Sequence, residues 1–176
     1  MSNPYEILFV CTHNRCRSVL AEVIANTNHD GFFRAHSAGS QPAGAVHPST
    51  LKYLAARGLP TQGLTSQSWN DYSDVQFDLV VTVCDGAAGE TCPLWMEGAA
   101  RVHWGVPDPS RIEGDEAVIR AAFDDVVDAL DTREIGSFNY MSWDQIKEIS
   151  RENFVEIGNH SHTHEYLVDE TDEIIE

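Results

Sequence analysis

Hydrophobic and polar positions along the chain change period several times, and each change marks an element. Tyr5 to Val10 is an almost continuous apolar run, the pattern of a parallel strand buried on both faces, whereas Val19, Leu20, Val23 and Ile24 recur at helical spacing. Asn28-His29-Asp30-Gly31 reads as a turn, and Phe32 to Ser37 as a second strand ending in Ser37-Ala38-Gly39-Ser40. Pro48 and Ser49 open a helix with Leu51, Leu54 and Ala55 on one face and Gly58 at its end. Thr65 to Tyr72 is short and polar, a helical turn carrying one tryptophan. Asp78 to Cys84 is a third strand rich in β-branched residues, and Arg101 to Trp104 a brief fourth. Asp115 to Leu130 closes the series as a helix with Ile119, Phe123, Val126, Val127 and Leu130 on one face. Strands alternating with helices predict an α/β fold: a four-stranded parallel sheet flanked by helices on both faces, with ligands at the carboxyl ends of the strands. Cys11, Cys84 and Asp108 each follow a strand, so all three are expected at that edge.

At 176 residues the chain suffices for one domain with a sizeable core and some extra length. It has neither an apolar stretch of about 18 residues nor a basic-then-apolar leader, so the expectation is a cytoplasmic protein. The net charge of −17 divides into −9 over residues 1–134 and −8 over residues 135–176. Such a balance argues against nucleic-acid and anionic-membrane partners, and an anionic substrate must be attracted locally, against the global field. Four cysteines in a chain without export signals favour thiols kept for chemistry over structural disulfides.

The chemistry concentrates in Cys11-Thr12-His13-Asn14-Arg15-Cys16-Arg17-Ser18, between the first strand and the first helix. Backbone N–H groups of a helix's first turn, with the helix dipole, form an anion site suited to a tetrahedral oxyanion. The same field, with Arg15 and Arg17 nearby, favours a thiolate on Cys11. Arg17 is placed to fork two hydrogen bonds onto the anion, and Ser18 to donate one to the thiolate. Cys84 and Cys92 are separated by Asp85-Gly86-Ala87-Ala88-Gly89-Glu90-Thr91, which reads as a mobile loop. A thiol in such a loop can attack a sulfur adduct, and a second can attack the resulting disulfide. A core thiol beside an incidental one is the plainer alternative, and the spacing is a poor match to zinc. Asp108, before Pro109, can protonate a leaving oxygen.

The loop is similar to the phosphate-binding loop of the low-molecular-weight protein phosphatases, and in particular of the arsenate reductases that share that fold, over roughly residues 5–133. Ser37-Ala38-Gly39, Val81-Thr82-Val83-Cys84-Asp85, Cys92-Pro93, and His103-Trp104-Gly105 leading to Asp108-Pro109 match the reductase branch. The resemblance implies arsenate reduction, with Cys11 as nucleophile, Cys84 attacking its arsenic adduct, Cys92 resolving the disulfide and Cys16 auxiliary. Thr12, His13, Asn14, Arg15, Cys16, Arg17 and Ser18 would bind the oxyanion, with phosphate as a competitor. An external reductant, thioredoxin or glutaredoxin with glutathione, would restore the thiols, and no tightly bound cofactor is implied. Family members hold a potassium ion through side chains corresponding to Asn14, Glu22, Ser37 and, replacing an aspartate, Gln67. His13 stands where glycine is common, so a backbone angle suited to glycine is expected there. Ser110 and Arg111 stand where the tyrosine phosphatases carry aromatic residues, which speaks against phosphotyrosine. A phosphatase of small phosphomonoesters and a redox-sensing oxyanion-binding module are the alternatives.

Residues 135–176 have another character. Ser142 to Ile149 has a helical pattern, Phe154 to Gly158 resembles a strand, and His160 and His164 sit in a segment similar to the His-Ser-x-x-His zinc motif of polysaccharide deacetylases. That family also needs an Asp-Asp pair, and Asp124-Asp125 falls within the closing helix. The extension is therefore read as a fragment without a working metal site, ending in a frayed acidic stretch from Glu165 to Glu176.

Overall fold

A computed structural model describes residues 4–28, 33–89, 93, 96 and 98–132. Strand β1 (Tyr5–Cys11) leads through the loop to α1 (Arg17–Asn28), then β2 (Phe33–Gly39) and α2 (Pro48–Ala56). A 3-10 turn (Trp69–Tyr72) precedes β3 (Leu79–Thr82), α3 (Asp85–Ala88) and β4 (Ala100–His103); a second 3-10 turn (Pro109–Arg111) precedes α4 (Glu116–Thr132). The sheet is parallel throughout in the order β2-β1-β3-β4. From β1 the chain first adds a strand on one side and then two on the other. The carboxyl end of β1 is thus the point where the order reverses, the usual ligand position in open α/β sheets.

Successive residues of a strand point to opposite faces, yet Ile7, Leu8, Phe9 and Val10 are all buried. Both faces of β1 are therefore covered, as its unbroken apolar run predicts. Helix α1 buries Val19, Leu20, Val23 and Ile24, and α4 buries Phe123, Val126, Val127 and Leu130. The two helices touch, and Phe123 of α4 stacks on Tyr53 of α2 with ring centroids 4.6 Å apart.

Four local expectations need correction. Helix α2 buries Thr50, Tyr53 and Leu54, while Ala55 is exposed. Its inward face is set by Thr50, whose hydroxyl donates to the Arg15 carbonyl at 3.2 Å. Strand β2 runs on to Gly39 because Ala38 and Gly39 stay in register with Val10 and Cys11. Strand β3 stops at Thr82, and the stretch read as a loop after Cys84 begins as the single-turn helix α3.

Candidate active site

Five residues, 12–16, carry the chain from β1 to α1, and the carbonyls of Thr12, His13 and Arg15 face outward. Thr12 O accepts from Gln41 N–H (2.8 Å), His13 O from Ala43 N–H (2.9 Å) and Ser66 Oγ (3.1 Å), and Arg15 O from His47 N–H (2.9 Å). In a planar trans peptide the following N–H points the opposite way, so the N–H groups of His13, Asn14 and Cys16 turn inward. That of Asn14 donates to Cys11 Sγ at 3.2 Å. Among the described residues no acceptor is found for the N–H groups of His13, Arg15, Cys16 and Arg17. These are the donors a tetrahedral anion can use.

The left-handed residue in this loop is Asn14 (φ 44°), not His13. Asparagine tolerates that region better than most residues, and here its side chain is fully buried and bonded on every side. Asn14 Oδ1 accepts from Gln67 N–H (2.7 Å), and Nδ2 donates to both Ser18 Oγ (2.9 Å) and Ser37 Oγ (2.8 Å). These bonds fix the direction of the rest. Ser18 Oγ already accepts from Asn14, so its hydrogen turns to Cys11 Sγ at 3.0 Å. Ser37 Oγ likewise donates to Glu22 Oε2 at 2.5 Å. The sulfur thus faces two donors, Ser18 O–H and Asn14 N–H. Burial raises the Glu22 carboxyl above its ordinary range, with the Ser37 bond and His36 opposing. The other loop thiol behaves differently, for burial pushes Cys16 up to about 12. It stays protonated at neutral pH, consistent with an auxiliary place.

The four residues matched to a potassium cage do come together, but they hold one another. Besides its bond to Asn14, Gln67 donates its side-chain amide to Ser37 O (3.1 Å) and to Tyr72 Oη (2.5 Å). Its Oε1 accepts from Thr65 Oγ1 at 3.0 Å, which fixes the amide's orientation. An N–H donor therefore lies where a cation needs an oxygen, and the set does not fit an alkali ion. No group of three or more metal-ligating side chains occurs among the described residues.

Glycine is required where β2 approaches the loop, and α3 comes almost as close. A Cβ on Gly39 would lie 2.7 Å from Thr12 O, and one on Gly86 2.8 Å from Thr12 Oγ1. The second contact marks how closely the Cys84 segment abuts the loop. Cys84 is buried, caps α3 by accepting from Ala87 N–H (3.4 Å), and also accepts from Thr12 N–H (3.4 Å). Cys92 lies outside the described residues, as do His160 and His164.

Arg17 opens α1 and reaches across to Val106 O (3.3 Å) and Asp108 Oδ2 (3.4 Å). Asp108 Oδ1 accepts from Ser110 N–H (3.1 Å) and Ser110 Oγ (2.6 Å), while Arg111 Nε lies 3.6 Å from Oδ2. Arg15 reaches Ser110 Oγ at 3.4 Å. The arginine and the acid expected from the sequence thus meet, paired with each other; an incoming anion would take the Arg17 fork from Asp108. The part of Ser110 in holding Asp108 was missed, since a serine after Asp-Pro carries no distinctive signal. Asp124 of the Asp-Asp pair is salt-bridged to Arg57 at 3.1 Å.

A buried cysteine at a strand end, wrapped by inward amides and faced by an arginine and an aspartate, defines a protein that handles tetrahedral oxyanions through a thiolate. More particularly, the chain belongs to the low molecular weight phosphotyrosine protein phosphatase family, whose profile matches residues 6–152. That stretch includes residues 135–152, assigned above to the extension. The chain is similar to the arsenate reductase of Halalkalibacterium halodurans, 34% identical over 131 residues, 74% of this chain and 93% of that protein. It is similar also to the arsenate reductase of Bacillus subtilis, 35% identical over 127 residues, 72% of this chain and 90% of that one. Among solved structures, that of an arsenate reductase from Archaeoglobus fulgidus superposes with a TM-score of 0.54 at 28% identity, covering 72% of this chain and 97% of that one. No described helix is long and apolar enough to cross a membrane.

Proposed function

We propose that this protein reduces arsenate to arsenite through a thiol relay, with residues 1–134 as the working unit and 135–176 as an extension. The Cys11 thiol displaces water from dihydrogen arsenate, leaving a Cys11–S–AsO₃H⁻ adduct held by the inward amides and Arg17. Asp108, released from Arg17, protonates the departing oxygen. The Cys84 thiol then attacks Cys11 Sγ, and the S–As electron pair passes to arsenic, so arsenite leaves and a Cys11–Cys84 disulfide remains. Cys92 exchanges into that disulfide and frees Cys11. An external dithiol, of the thioredoxin type or glutaredoxin with glutathione, reduces the Cys84–Cys92 bridge, as befits the cytoplasm.

One observation carries this reading. Cys84 Sγ accepts from the N–H of Thr12, the residue next to Cys11, so a second thiol sits one peptide from the nucleophile, and a phosphatase has no use for it. Phosphate would occupy the same amides and compete. The cation set closes on itself, so turnover without potassium is part of the proposal. The test is arsenate-dependent NADPH oxidation with thioredoxin and thioredoxin reductase, with glutaredoxin and glutathione in parallel, on the full chain and on one ending at Glu134. Steady oxidation in both chains is expected. Hydrolysis of an aryl phosphate without arsenate-dependent oxidation would replace this reading with a phosphomonoesterase.

A further inference from the structure

We propose that His103 is a positioning residue for the relay thiol, clamping the turn on which Cys84 is presented to the Cys11 adduct; this rests on the reduction reading above. His103 ends β4, and its ring spans the segment that carries Cys84. Nδ1 lies 2.8 Å from Oγ1 of Thr82, two residues before the cysteine, and Nε2 lies 3.2 Å from Oδ1 of Asp85, one residue after it. Gly105 leaves room for this arrangement: a Cβ there would lie 3.1 Å from His103 Nε2 and 3.3 Å from Asp85 Oδ1.

Helix α3 is only four residues long, too short to be held by its own hydrogen bonds. Its first residue is tied to β4 through the imidazole, and its first turn directs Ala87 N–H at Cys84 Sγ. With that turn in place the sulfur is held between two backbone donors, from Ala87 and from Thr12, which fix where it points before it attacks. The clamp is also asymmetric. The ring is 18% exposed and faces Thr82 on the sheet, whereas the Asp85 carboxylate is 96% exposed. A hydrogen bond so open to water is held weakly, so the turn can let go once Cys84 leaves its cap. The ring orders the turn before the attack and yields after it. In the step itself the Cys84 thiolate attacks Cys11 Sγ, the S–S bond forms, and the S–As bond breaks with its pair going to arsenic.

The test follows that single step in the full chain carrying Cys92→Ser, so that the first disulfide accumulates. Reduced protein is mixed with arsenate and quenched with acid and an alkylating agent, and the Cys11–Cys84 bridge is mapped by mass over time. His103→Phe keeps the ring but removes both polar contacts, and it should slow the bridge roughly tenfold, while protection of Cys11 from alkylation by phosphate is unchanged. His103→Asn, which can still meet Thr82, should recover part of the rate. Bridge formation at the parent rate in His103→Phe would overturn the proposal. If that variant fails to fold, Asp85→Ala, a change at an exposed side chain, should slow the step about threefold, and an unchanged rate there would overturn it equally. A parent chain that forms no arsenate-dependent bridge, although phosphate protects Cys11, would overturn the reduction reading and this inference with it.

Discussion

The two thiols lie at neighbouring strand ends but are held in opposite ways. Around Cys11 the loop's carbonyls are bonded to the β2–α2 connection, and Asn14 is locked to Ser18, Ser37 and Gln67. Nothing there can shift without breaking several buried bonds. Around Cys84 the support is a one-turn helix, two N–H contacts at 3.4 Å and a clamp that ends on an exposed carboxylate. The difference fits a division of labour in which the nucleophile stays still to hold an anion and the second thiol must move. Preorganisation suits transition-state charge, whereas disulfide exchange requires one partner to travel.

The sharpest way to break the comparison is to remove each thiol in turn. Cys11→Ser should lower arsenate turnover by at least about 10⁴-fold, as loss of a nucleophile does in other enzymes, and should abolish arsenate-dependent labelling. Cys84→Ser should stop turnover too, yet leave one capture event at Cys11, read by rapid quench and mass. Gly39→Ala comes next, because its Cβ would lie 2.7 Å from a loop carbonyl whose position the anion site depends on. Displacing the loop by such a contact should cost roughly 10²-fold in kcat/KM, measured beside a thermal melt. Glu22→Gln acts on the rigid side and is read by pH. The Glu22 carboxyl is raised by burial, so the folded state binds its proton more tightly than the unfolded chain does. Its contribution is full below the ordinary glutamate range and is lost as pH rises through the higher folded value. The parent's Tm should therefore fall relative to that of Glu22→Gln between acid and neutral pH. The smallest effect is expected from Cys16→Ala, since a thiol near 12 supplies no thiolate at pH 7; kcat should change by less than about threefold.

How much was legible in the sequence follows the same divide. The rigid side is contiguous: an apolar run, a Cys-x5-Arg-Ser loop and a helical period occupy one stretch, so β1, α1 and the loop between them could be placed from spacing alone. The sequence points to His13 for the left-handed position, and the structure places it at Asn14, because what fixes Asn14 is a set of partners far away in sequence, at Ser37 and Gln67. Helix α2 is legible, but its inward face differs from the apolar pattern, because a polar residue, Thr50, turns in to serve the Arg15 carbonyl. The segment after Cys84 reads as a loop in the sequence. Gly86, Ala87 and Ala88 have no helical pattern, and the helix they form is capped by a cysteine sulfur, a cap no propensity scale suggests. Likewise the ties on Asp108 come from Ser110 and Arg17, whose meeting depends on the β4–α4 connection returning to the loop.

The central claim is that the still thiol and the moving thiol meet. The most direct measurement is a disulfide map of the Cys92→Ser chain after one exposure to arsenate, with arsenite counted in the same sample. The account predicts one Cys11–Cys84 bridge and one arsenite per chain. Arsenite released in repeated turnovers with Cys84 still a thiol would contradict it.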